Sequence, residues 1–138
     1  MDVILFPRWR VWFFVDDDGQ NVIRRWLAET GASTRQRTVL QLQITLFESG
    51  GPEVLPGSIV AVDDKEEFHA MKVKAEKNAA TLTPVFCYGP FSDSEITFLA
   101  GAPIHNGLLK ARDILPVARY NRETLVAFST RRRRERIG

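Results

Sequence analysis

The sequence predicts an α+β domain: a small, mostly antiparallel sheet, an N-terminal helical hairpin packed on it, and a C-terminal helix. Two observations carry this. Residues 68–100 hold three β-rich runs in succession, FHAMKVKA, LTPVFCYGP and SEITFLA, separated by polar turns. A strand-like run and two stretches of helical periodicity come before them, and a third helical stretch follows. Short runs that alternate or stay apolar between turn residues read as strands, whereas apolar residues three and four apart read as helices.

Taken in order, RWRVWFFV (8–15) is aromatic and β-branched and reads as a strand covered on both faces. Asp16-Asp17-Asp18-Gly19 is a turn whose aspartates are expected to cap the next helix. Val22, Ile23, Trp26 and Leu27 set the apolar side of that helix, and Gly31 stops it. A second helix is expected from Ser33 to about Glu48, capped by Ser33 or Thr34, with Val39, Leu42, Leu46 and Phe47 as its apolar stripe. The connection is so short that the two helices should form an antiparallel hairpin. SIVAV (58–62) reads as a short edge strand.

In FHAMKVKA, alternation puts His69, Met71 and Val73 on the core side and Ala70, Lys72 and Lys74 on the other. Residues 101–110 read as a loop. Ile114, Leu115, Ala118, Leu125 and Val126 mark the last helix, with Pro116 in its first turn.

Composition bounds function. A chain of 138 residues with 44% hydrophobic and 26% charged residues is of single-domain size and ordinary globular make-up. No apolar run is long enough to span a bilayer, and the N-terminal residues lack the apolar region of a signal peptide, so a cytoplasmic setting is expected. The single cysteine, Cys87, fits a packed, inert thiol. One cysteine and two distant histidines give no tetrahedral zinc set. Neither a P-loop nor a dinucleotide glycine pattern is present. No cofactor or metal is expected.

Charge is unevenly placed. The formal net charge is +2, yet RRRRERIG alone carries +4, which leaves residues 1–130 at −2. The expectation is a domain over 1–130 and a mobile basic arm over 131–138, in which Arg131, Arg132, Arg133 and Arg134 contact nucleic-acid phosphates.

The order β-α-α-β-β-β-α over residues 8–128 resembles the RelE/ParE toxin superfamily of bacterial toxin–antitoxin systems, most closely its HigB-like, phage-derived branch. HAMKVKA stands at that branch's E-L-R-x-K strand, LTPVFCYGP at the next strand, SEITFLAGA at the strand ending in an aliphatic-then-glycine pattern, and RDILPVARYNRETL at the final helix.

The resemblance implies a toxin of a type II pair: a ribosome-dependent, metal-independent endoribonuclease that cuts messenger RNA and forms a heterocomplex with a small antitoxin. The implied catalytic set is Lys72, Lys74, His105 and Tyr120, with Arg119 and Arg122 aligning the RNA. Two departures support an alternative, a non-catalytic phage or prophage protein of the same fold that binds protein or nucleic acid. Thr83-Pro84 replaces the usual arginine of the second strand, and Pro103-Ile104-His105-Asn106 replaces the paired loop lysines. A gyrase-directed toxin of the ParE kind is a third reading, since fold does not fix target.

Overall fold

The computed structural model describes residues 8–65, 67–76, 80–102 and 113–137, and the backbone alone of 104–105, 108–109 and 111–112. Among these residues, eight strands and three α-helices follow in the order β1 (Arg10–Phe14), α1 (Val22–Glu29), α2 (Thr34–Gly50), β2 (Ile59–Ala61), β3 (His69–Met71), β4 (Thr83–Tyr88), β5 (Glu95–Ala102), β6 (Ile104–His105), β7 (Leu108–Leu109), α3 (Leu115–Ala127) and β8 (Arg132–Arg133). Six strands form one sheet in the order β2-β3-β4-β5-β1-β8. Among the described residues only β1 and β5 pair in parallel, and the other pairings are antiparallel. The α+β class and the mostly antiparallel sheet are therefore as the sequence predicts.

Alternation along the strands builds two cores, one on each face. Val11, Phe13, Met71, Val73, Phe86, Ile96 and Phe98 pack against Ile23 and Leu27 of α1 and Leu40, Ile44 and Phe47 of α2. Phe14, Ala70, Val85, Cys87 and Leu99 pack on the opposite face against Leu115, Ala118 and Leu125 of α3. The sheet is thus sandwiched between the helical hairpin and the last helix. Burying a large apolar side chain contributes roughly 1.5–3 kcal/mol, so both helical layers are held mainly by these contacts.

Local chemistry explains the element ends. Asn21, not one of the three aspartates, caps α1: its Oδ1 accepts from the N–H groups of Ile23 and Arg24. Asp16 instead closes the preceding turn by accepting from Asp18 and Gln20. Gly31 follows α1 with φ +69°, a conformation glycine adopts without penalty. Ser33 caps α2 in a reciprocal box with Gln36.

Three expectations change. The buried face of α2 is Leu40, Ile44 and Phe47, while Leu42 and Leu46 are exposed. Leu40, Leu42, Ile44 and Leu46 alternate as in a strand, so apolar residues surround this helix and periodicity alone does not choose its inner face. Val126 likewise points to solvent from α3. The segment expected as a loop after β5 contains the β6–β7 hairpin, with Ile104 opposite Leu109 and His105 opposite Leu108.

The largest difference is the arginine tail. Arg132 and Arg133 pair with Phe14 and Phe13 as an antiparallel edge strand, and Ile137 is buried in the hairpin-side core. The expected boundary at residue 130 does not separate a mobile arm from the domain; the segment 131–137 is part of it.

Candidate nucleic-acid interface

Lys72 and Lys74 continue the alternation of β3. Met71 and Val73 enter the hairpin-side core and Ala70 the α3-side core, so the two lysines lie on the α3 side. Both are exposed, and no ion pair among the described residues involves either one. An isolated ammonium on a sheet face keeps its charge available to a phosphate. Val73 bridges to Leu82, and the adjacent Thr83 pairs with Ala102 at the end of β5. The β6–β7 hairpin, which contains His105, therefore leaves the same end of the sheet that carries the lysines. The side chain of His105 lies outside the described residues, so its expected approach to Lys72 and Lys74 does too.

The three helix residues turn in different directions. Tyr120 is 67% exposed on the outside of α3. Arg119 lies 6.0 Å from the Phe68 ring and lines a cavity of about 350 Å³ with Asp63, Asp64, Lys65 and Glu67. Those carboxylates lessen its positive field. Arg122 faces inward: its Nε is buried with no acceptor among the described residues, and its guanidinium neighbours the Cys87 thiol. Burial pushes that thiol up to about 11, and the nearby Arg122 only partly offsets it. Cys87 is therefore a neutral, packed thiol at physiological pH, as its apolar surroundings in sequence predict.

No protein family, curated protein or solved structure matches this chain.

The four consecutive arginines that open the tail are engaged within the protein. Arg131 reaches Asp17 at 2.9 Å, donates from Nε to the Val15 carbonyl and lies over Phe14. Arg132 reaches Glu95 at 2.7 Å, its guanidinium carbon 3.9 Å from the Trp12 ring centre and 4.8 Å from that of Phe91. Arg133 pairs with Glu135 and bonds the Gly19 carbonyl, and Arg134 pairs with Glu48. The Arg132–Glu95 pair is the feature sequence reasoning missed. Burial alone would raise the Glu95 carboxyl, but hydrogen bonds from Arg132 and the Phe91 N–H, together with the charge of Arg132, hold it below the usual glutamate value. The sequence signal was Glu95 opening a mostly apolar strand, where a buried carboxylate is stabilised by a cationic partner.

The core-side histidine behaves as expected from alternation. His69 stacks on Phe86 and meets Tyr88 edge-on, within a ring cluster that includes Trp9 and Phe47. Among the described residues, no helix is long and apolar enough to cross a membrane.

Proposed function

We propose that this chain is a RelE/HigB-like toxin of a type II toxin–antitoxin pair that cleaves messenger RNA on the ribosome, in the cytoplasm. The observation that supports this reading best is the pair of exposed lysines, Lys72 and Lys74, outside every described ion pair at the end of the sheet from which the His105 hairpin departs. Cleavage of this kind needs no redox or group-carrying chemistry. The 2′-hydroxyl attacks the adjacent phosphorus, a 2′,3′-cyclic phosphate forms, and the 5′-oxygen leaves with a proton. Lys72 and Lys74 hold the phosphate and offset the extra negative charge of the transition state. His105 transfers the proton, a role imidazole fills more often than any other side chain. Tyr120 is available to stack on a base. The antitoxin covers this basic face in the resting pair.

Primer extension on a reporter messenger RNA translated in vitro tests the reading. New 3′ ends should require both ribosomes and this protein, and should disappear with Lys72→Ala/Lys74→Ala and with His105→Ala. One observation favours the second reading, a non-catalytic binder of protein or nucleic acid: Thr83 and Pro84, where the family carries an arginine, are buried in β4. Ribosome binding without new ends would select that reading, and neither binding nor new ends would exclude the ribosome as the target.

A further inference from the structure

The two edges of the main sheet are unlike each other. β8 is an edge of arginines held by carboxylates, whereas β2, the other edge, is Ile59-Val60-Ala61 and carries no charge. Natural edge strands are usually guarded by charge, proline, a bulge or a covering segment, because their free N–H and C=O groups otherwise accept another strand.

The hydrogen-bond phase identifies the open groups on β2. The Lys72 N–H donates to the Ser58 carbonyl and the Val62 N–H to the Phe68 carbonyl, while Val60 stands opposite Ala70. In an antiparallel ladder, residues directing their groups to the neighbour alternate with residues directing them away. Ser58, Val60 and Val62 therefore bond β3, and the N–H and C=O groups of Ile59 and Ala61 face outward. No described strand pairs with that side of β2.

Charge is arranged along the same edge. The Ser58 end of β2 lies beside Lys72, with Lys74 just beyond, and the Val62 end runs into Asp63 and Asp64, with Lys65 in the turn and Glu67 across it, so carboxylates outnumber the lysine there. The edge is basic at one end and acidic at the other. A two-fold axis through Val60 would set Ile59 opposite Ala61 of a second copy and join all four outward groups on each strand in hydrogen-bonded pairs. The same axis places the lysine end of one copy against the Asp63–Asp64 end of the other. Adjacent strands are about 4.8 Å apart, so a lysine on β3 is two strand spacings from the facing β2, within the combined reach of lysine and aspartate side chains. An axis perpendicular to the sheet keeps both α3 helices on one side, so the lysines and aspartates meet on a common face.

We infer that β2 is a homodimer edge: two copies of this chain pair antiparallel through Ile59–Ala61, with Lys72 and Lys74 of each meeting the Asp63–Asp64 turn of the other. An isologous contact of this kind closes on itself and adds no third copy. The inference goes beyond the RNA reading and does not rest on it; in the dimer the carboxylates of the facing copy occupy Lys72 and Lys74, so these lysines hold an RNA phosphate only when the edge is open.

Sedimentation equilibrium of the full chain tests it. The wild type should show twice the monomer mass. Ala61→Pro removes one outward N–H, leaves the β2–β3 bonds intact and should give a monomer with unchanged circular dichroism. Lys74→Glu and Asp64→Lys should each weaken association at least about tenfold through facing like charges, and an equimolar mixture of the two should recover it, because each contact then joins opposite charges. A wild type that stays monomeric up to about 1 mM would overturn the inference. So would a dimer indifferent to Ala61→Pro, or charge variants whose mixture is no tighter than either alone; this last result decides even if the proline variant fails to fold.

Discussion

Glu95 shows how much one buried charge depends on its partner. Its side chain is 3% exposed, and that of Arg132 is 12% exposed. With the carboxyl held below its ordinary value, the pair contributes stability that is present above the unfolded glutamate value of about 4.3 and is lost as pH falls through the lower folded value. Glu95→Gln should therefore cost about 3 kcal/mol at neutral pH in urea denaturation, and the gap to wild type should narrow below about pH 4. A gap that widens with acid would show that the carboxylate is not the stabilising form. Cys87 gives the converse case. A buried thiol pushed up to about 11 is protonated and shielded, so a maleimide at pH 7.5 should label it only after unfolding. Its burial was legible from the apolar residues around it in sequence. The partner of Glu95 was not, because Arg132 lies 37 positions away in a segment whose composition suggests disorder.

The same contrast holds for whole elements. The α+β class, the mostly antiparallel sheet and the helices were legible because capping residues, turn glycines and short apolar runs between turns act locally: Ser33 with Gln36, Gly31, and Val85 to Tyr88. The inner face of α2 and the fate of the tail were not, because both are decided by what comes to lie beside them. Four arginines in a row resemble a solvated arm until Asp17, Glu48, Glu95 and Glu135, dispersed through the chain, are brought around them. The far end of this strand is anchored by Ile137, 4% exposed, whose N–H donates to the Gln41 Oε1 at 2.7 Å. Ile137→Ala should destabilise the protein by about 2–4 kcal/mol and should raise amide exchange first at Phe13 of β1 and Val15 just after it, whose N–H groups face the tail strand. Equal loss of protection across the whole sheet would mean that the strand does not open by itself. The candidate site was legible to the extent that strand alternation governs it, which covers Lys72 and Lys74. Tyr120, Arg119 and Arg122 sit close in sequence but diverge in space because a helix turns about 100° per residue.

At the scale of the whole molecule, β5 is the wall that both layers share. Ile96 and Phe98 face the helical hairpin, while Leu99 and Ala102 face α3, whose Asn121 also donates to the Leu99 carbonyl. The spacing between β5 and α1 depends on a residue with no side chain. A Cβ at Gly101 would fall 1.9 Å from the Trp26 ring, so the half-buried indole can lie flat against β5 only because glycine stands there. Gly101→Ala must move either the ring or the helix that carries it, and overpacking of this kind costs about 1–3 kcal/mol. Trp26→Ala alone should also destabilise, through lost packing. Because the two residues act through one contact, the double variant should be more stable than the sum of the single effects predicts, by about 1 kcal/mol or more, in equilibrium denaturation of all four proteins. Strict additivity would mean that the ring escapes the new methyl by a local rotation and that the layer spacing is set by Ile23 and Leu27 instead. A positive coupling would make the glycine-for-tryptophan fit at the end of β5 the contact that sets how closely the hairpin approaches the sheet.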